Sequence, residues 1–232
     1  MLKKVDWKKE TEKKPLVDFG GLSVNEKTIL LIAGQSLAGK TITCLHFTDS
    51  AILNKKKVAY FDIDEKTIID RPDPNLFNEI SNKNQEKYDS LFSYYQSFDE
   101  GSFFTEMEKL KPNLIVMDGL YHSFCAKFPD KTSKARAKII KDFLLKLRGF
   151  LRENNIGMIL TTPIGRVTKE GKTEAVMLGG EGIKYLSDVK VMIQFTEEED
   201  KDNKNSFKRI FFVDRQNQFG FHIEYGGHLV PI

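Results

Sequence analysis

Eight consecutive residues, Gly34-Gln35-Ser36-Leu37-Ala38-Gly39-Lys40-Thr41, spell G-x-x-x-x-G-K-T. Residues of these types at this spacing suit one task. The two glycines permit a tight backbone path, so N–H groups of the loop and of the first turn of a following helix, through Ile42, converge on a phosphate. Lys40 reaches the β- and γ-phosphates of a nucleoside triphosphate, and the Thr41 hydroxyl is placed for Mg²⁺. Acids appear at two later points. KVAYFD ends in a cluster of Asp62, Asp64 and Glu65, where a carboxylate can orient a water for attack on the γ-phosphate; a polar loop start would look the same. Asp118 closes LIVMD, where it accepts from the Thr41 hydroxyl or from a water on Mg²⁺. The loop specifies triphosphate binding and is silent on the reaction.

Such a loop works only between a strand and a helix. Thr28 to Ala33 is a short apolar run that predicts a buried strand, and Ile42 to Leu53 follows with helical spacing, Cys44 packed within it. Lys57 to Asp62, Leu91 to Ser97, Leu114 to Asp118 and Gly157 to Thr162 read as further strands. Between them, Asp73 to Asn82 and Ser102 to Leu110 read as helices, and Lys134 to Asn154 is the longest. In that helix Ile140, Leu144, Leu147 and Leu151, flanked by Phe143 and Phe150, form a core face. Leu16 to Leu22 reads as a lead-in turn. Pro163 to Gly182 shows no apolar periodicity and predicts a long structureless loop of the kind that carries function. Val189 to Phe195 and Phe207 to Val213 alternate like paired strands across a charged turn, and Gly220 to Tyr225 and His228 to Ile232 close the chain. This β–α alternation is that of one α/β domain over residues 19–232, after a polar tail over residues 1–18.

The 232 residues suffice for one sizeable core. The formal charge is only +3, so a surface for nucleic acid must arise by clustering. It does cluster: Tyr121 to Lys172 holds 12 Lys+Arg against 4 Asp+Glu, net +8, which leaves −5 for the remainder. Such a stretch is either a solvated helix face with a loose loop or a phosphate-backbone surface. Its position around loops at the strands' C-terminal ends favours the second. Two distant cysteines and four scattered histidines give no metal spacing and no disulfide framework, as expected of a reducing cytoplasm. Neither a signal peptide nor a run of membrane-spanning length is apparent. Met1 to Lys14, with six lysines, three acids and the lone Trp7, reads as a frayed extension, or as an arm docking on a neighbouring subunit through Val5 and Trp7.

With these pieces in order, the chain resembles the RecA/RadA recombinase superfamily from about Phe19 to Tyr225. Gly20-Gly21-Leu22 before the first core strand is similar to the family's lead-in. Tyr60-Phe61-Asp62-Ile63-Asp64 is similar to its second-strand motif, with Asp64 where the family has its catalytic glutamate and Glu65 beside it. Arg71-Pro72 looks like the Arg-Pro of archaeal-type recombinases, whose arginine lies against adenine. Asp118-Gly119 takes the place of the Mg²⁺-site acid and its neighbour. Gly179 to Val189 (GGEGIKYLSDV) is similar to the segment closing the family's second DNA loop, and Gly165 to Gly171 looks like a stretch of bacterial RadA (Sms). Two further departures are visible. Thr162-Pro163 replaces the Asn-Gln whose glutamine senses the γ-phosphate, and Asp214 to Gly220 keeps Phe-Gly but only Arg215 of the basic finger.

The resemblance implies a RecA-type core: a mostly parallel sheet flanked by helices, with antiparallel C-terminal strands. It implies ATP and Mg²⁺ as ligands, self-assembly into a ring or filament, and single-stranded DNA as partner. The first DNA loop would be His122 to Ser133 and the second Pro163 to Gly182, so that Lys131, Lys134, Arg166, Lys169 and Lys172 meet phosphates. Arg215 would reach a neighbour's ATP. The activity implied is a recombinase-like ATPase of recombination or repair. The rivals are a ring helicase of the DnaB or RepA type and an accessory paralogue that binds ATP but hydrolyses it poorly.

Overall fold

A computed structural model describes residues 15–19, 22–63, 90–169, 172–199, 207–213, 217–223 and 229–231. In chain order the strands are β1 Val17–Phe19, β2 Leu22–Val24, β3 Ile29–Gly34, β4 Val58–Asp62, β5 Phe92–Tyr95, β6 Leu114–Asp118, β7 Gly157–Lys169, β8 Lys172–Met177, β9 Val189–Glu199, β10 Phe207–Val213, β11 Asn217–Ile223 and β12 Leu229–Pro231. The helices are α1 Lys40–Leu53, α2 Glu100–Leu110, α3 Leu120–Lys127, α4 Ser133–Asn154 and α5 Glu181–Leu186.

Every residue of β3, β4 and β6 is buried. Strands apolar on both faces need cover on both sides, which parallel strands obtain from the helices that connect them. The large sheet runs β5-β4-β6-β7-β3-β9-β10-β11-β12. It is parallel from β5 to β9 and antiparallel from β9 onward. The alternation of side chains along β3 divides the core. Leu30 and Ile32 join Cys44, Phe47 and Ile52 of α1 on one face. Ile29 and Leu31 join Phe103 and Met107 of α2, Phe124 of α3, and Phe143, Leu144, Leu147 and Leu151 of α4 on the other.

On the α4 face Phe143 lies 5.1 Å from Phe98 and 5.9 Å from Phe103, both edge to face, and 5.6 Å from Phe124. This is a favoured arrangement of ring quadrupoles. Phe143 is fully buried. Phe143→Ala is therefore expected to lower the unfolding free energy by about 3–5 kcal/mol, read as a fall in the urea midpoint at unchanged slope. Phe143→Leu should lose markedly less.

Two stretches differ from the sequence reading. Leu16 to Leu22 is no simple turn: β1 and β2 pair antiparallel, and Leu16 and Val17, at the end of the expected tail, are buried in the α1-side core. Pro163 to Gly182 is not structureless. β7 continues for thirteen residues, and its outer part pairs with β8 from Ile164↔Met177 to Lys169↔Lys172. Pro163 forms the last rung between β7 and β3, three residues past the last rung with β6. A proline is tolerated where pairing runs out. The helix expected over Asp73 to Asn82 lies outside the described residues, as do residues 1–14 of the tail.

Candidate functional site

The parallel strands point their C-terminal ends the same way, so Gly34, Asp62 and Asp118 gather along one edge of the sheet, with Asp62 and Asp118 register partners on β4 and β6. Gly34 begins the loop. A Cβ there would lie 3.2 Å from both the Ala38 Cβ and the Ile193 carbonyl oxygen, so the loop folds tightly back over the end of β3. Gln35, Ser36 and Leu37 are exposed, Leu37 by 84% and with φ 63°, while Ala38 is buried beneath them. Gly39, at φ 97°, is the N-cap, and α1 starts at Lys40. The Lys40 ammonium donates to the carbonyls of Gly34 at 3.1 Å and Gln35 at 2.8 Å, which holds the charge against the loop. Thr41 and Ile42, half-buried, form the first turn of α1.

Asp118 is 5% exposed, and its carboxylate is held from both sides. The Thr161 hydroxyl donates to Oδ1 at 2.6 Å, and the Tyr60 hydroxyl donates to Oδ2 at 3.3 Å. The neighbouring Asp62, 1% exposed, accepts from the Tyr94 hydroxyl at 2.8 Å. Burial first, then the Asp118 charge, pushes the Tyr60 phenol and the Cys44 thiol up; Lys40 pulls the thiol down by less. Cys44 therefore stays a thiol and is packing, not a nucleophile. Burial, followed by the bond and charge of Asp62, likewise raises Tyr94, which keeps its proton and remains a donor.

Next to this edge β7 leaves the sheet. Thr162 donates to the Leu178 carbonyl at 2.7 Å, and the Leu178 N–H donates to Pro163 at 3.0 Å, which closes the root of the hairpin. Gly179 and Gly180, at φ 98° and 83°, turn the chain into α5, a backbone path that side chains disfavour. A Cβ on Gly179 would lie 2.3 Å from Ile183 Cδ1. After α5, Asp188 accepts from the Ile29 N–H at 2.9 Å and from Arg148 at 2.6 Å; Arg148 also donates to the Leu186 carbonyl. The motif from Gly179 to Asp188 thus anchors the first residue of the loop-bearing strand.

Gly34 through Ile42 and Asp118 come together at one edge of the sheet. Arg166 is exposed on the hairpin, Lys169 and Lys172 are register partners at its far end, and Lys131 and Lys134 are exposed around the start of α4. Of the first expected DNA loop, His122 to Ser133, the first half up to Lys127 is helix α3, residues 128–132 form the connection, and Ser133 begins α4. Asp64, Glu65, Arg71 and Arg215 lie outside the described residues. The hydroxyls of Thr161, Tyr60 and Tyr94 went unread in the sequence; the signal for the first is a threonine pair at the end of an apolar strand.

Among the described residues no group of three or more His, Cys, Asp or Glu could hold a metal ion. Mg²⁺ does not need one, since it keeps waters and takes one or two protein oxygens together with substrate phosphates. The Thr41 hydroxyl and the fixed, buried Asp118 carboxylate fit that mode, and the cradle around Gly34 with its inward lysine fits the phosphates. No helix among the described residues is long and apolar enough to cross a membrane.

No family model and no curated protein matches the chain. Its fold is shared with solved structures: a KaiC-like protein, PH0186, of the hyperthermophilic archaeon Pyrococcus horikoshii OT3 superposes with a TM-score of 0.58 at 18% identity, covering 92% of each chain. The fold is therefore RecA-type α/β. With 480 solved chains matching, the likeness fixes architecture and leaves function to the site.

Proposed function

We propose that the chain is a Mg²⁺-dependent ATPase that assembles through neighbouring cores and binds single-stranded DNA in recombination or repair. The observation that carries the nucleotide half is the Gly34 cradle with Lys40 bonded across it and the buried Asp118 at the same sheet edge. In this reading Gly34 to Ile42 wrap the phosphates, Lys40 holds the β- and γ-oxygens, Thr41 and Asp118 face the metal side, and Arg71 lies against the base. Bound Mg²⁺ supplies neutralising charge to the phosphates. Asp64 orients the attacking water, and Arg215 reaches the neighbouring subunit's ATP.

The DNA half rests on charge and position: the +8 stretch contains the start of α4 and the β7 arm of the hairpin, up to Lys172. Arg166, Lys169, Lys172, Lys131 and Lys134 are the proposed phosphate contacts. Replacing Arg166, Lys169 and Lys172 together by alanine should weaken binding of a labelled single strand and flatten its salt dependence. Three lost contacts at about 0.7 each lower the slope of log K against log salt by roughly 2. Fluorescence anisotropy across a salt series reads both; weaker binding at an unchanged slope would exclude these phosphate contacts. The deciding experiment for the whole reading is ATP hydrolysis titrated with single-stranded DNA, with particle images of the same samples. Hydrolysis unmoved by DNA would remove the DNA half alone.

One observation favours a second reading, a paralogue that uses ATP as a structural switch and hydrolyses it slowly. Pro163, level with Gly34, offers neither N–H nor side-chain amide toward a nucleotide. Slow turnover with tight binding, with and without DNA, would select it.

A further inference from the structure

We infer that Thr161 is a positioning residue for the Asp118 carboxylate: its hydroxyl fixes the rotation of the acid that faces the metal side of the nucleotide site. The inference rests on the role proposed for Asp118 at that site and goes one residue deeper.

One proton decides the arrangement. A threonine hydroxyl has one hydrogen to donate and lone pairs to accept with. The Gly119 amide, which can only donate, lies 2.7 Å from Thr161 Oγ1. The hydroxyl hydrogen is thereby free to point elsewhere, and Asp118 Oδ1 is 2.6 Å away. That is the short range of hydroxyl bonds to a charged oxygen. Thr161 is 1% exposed, so water does not compete for either bond. The bond to the other carboxylate oxygen, from Tyr60, is longer at 3.3 Å and correspondingly weaker. Thr161 is therefore the tighter of these two holds.

The same hydroxyl also ties down the turn after the acid. Gly119 is the N-cap of α3, at φ 92°. One oxygen thus joins Asp118 to the start of that helix, from a strand 43 residues further along the chain. A buried strand position of this kind would be filled equally well by valine if packing were its only role. The hydroxyl is the added chemistry. Partners of this kind, which orient a group at a metal site without touching the metal, typically govern metal affinity by about 10–100-fold.

The test is the Mg²⁺ dependence of nucleotide binding, not turnover. Binding of a fluorescent ATP analogue is measured in EDTA and across a Mg²⁺ titration for native protein, Thr161→Val, Thr161→Ser and Asp118→Asn. Thr161→Val should raise the Mg²⁺ midpoint about tenfold or more while leaving binding in EDTA within about twofold, and Thr161→Ser should stay near native. Adding Thr161→Val to Asp118→Asn should shift the midpoint no further, since Thr161 acts only through the carboxylate that Asp118→Asn has already removed. If Thr161→Val does not fold, Thr161→Ala, which removes the hydroxyl along with the methyl, carries the same expectation. A native midpoint in these variants with a shifted Asp118→Asn overturns the role of Thr161 and leaves the reading of Asp118 standing. A native midpoint in Asp118→Asn overturns that reading, and this inference with it.

Discussion

Lys40→Ala should lose at least about a hundredfold in ATP affinity, the largest binding effect of any single substitution in this chain. Hydrogen bonds to charged groups contribute about 1.5–3 kcal/mol each, and in the proposed site the ammonium would bond both β- and γ-oxygens. A tenfold change in affinity corresponds to about 1.4 kcal/mol, so two such bonds account for the loss. The lysine also bridges the Gly34 and Gln35 carbonyls, so its removal loosens the loop that presents the N–H groups. Lys40→Arg should rescue little, because a planar fork does not replace a compact ammonium in a tight loop. Calorimetry measures the affinity directly. Thermal melting gives an independent check, since saturating ATP stabilises only a protein that binds it. Native affinity in Lys40→Ala would sink the nucleotide assignment.

The second large effect concerns turnover. The buried carboxylate of Asp62 accepts from Tyr94 at the end of β4. In the proposed function the water is oriented by Asp64, with Glu65 beside it as the alternative. Asp64→Asn should retain ATP binding within a few-fold and lose about 10²–10⁴ in hydrolysis, the range of a general base. Glu65→Gln should remain near native. Steady-state hydrolysis alongside equilibrium binding separates the two quantities. The opposite pattern would transfer the role to Glu65, and native turnover in both variants would show that neither acid orients the water.

How legible these features were depended on where their partners lie. LIVMD was legible to the residue, because a strand buried on both faces must be apolar throughout, and β6 spans Leu114–Asp118 as expected. The core face of α4 was legible for the same reason, through helical spacing. The outer half of β7 was not. Beyond Pro163 the strand has β8 as its partner, and its sequence carries glycine, threonine and charge instead of an apolar alternation. Its pairing with β8 makes it a strand, and backbone pairing leaves no mark on composition. The three-residue strands β1 and β2 are too short for any period to show. At the site, the loop residues are contiguous and announce themselves. Thr161 acts on an acid 43 positions earlier, and only the register of β6 beside β7 brings them together.

The placement of β3 between β7 and β9 also bears on the order in which the chain acquires its capacities. Its rungs are made with residues 158–163 on one side and 189–193 on the other, and its first N–H is held by Asp188. Contacts this distant in sequence are slow to form, because a long loop must close before any of them contributes. During synthesis the G-x-x-x-x-G-K-T segment therefore emerges early with no strand on either side to hold it. The apolar run ILLIA waits unpaired while more than a hundred further residues are made. Over that interval it is the kind of segment that a chaperone holds or that self-associates. Possession of the motif and ability to grip a phosphate are separated in time, and the closing of β9 against β3 is the event that unites them.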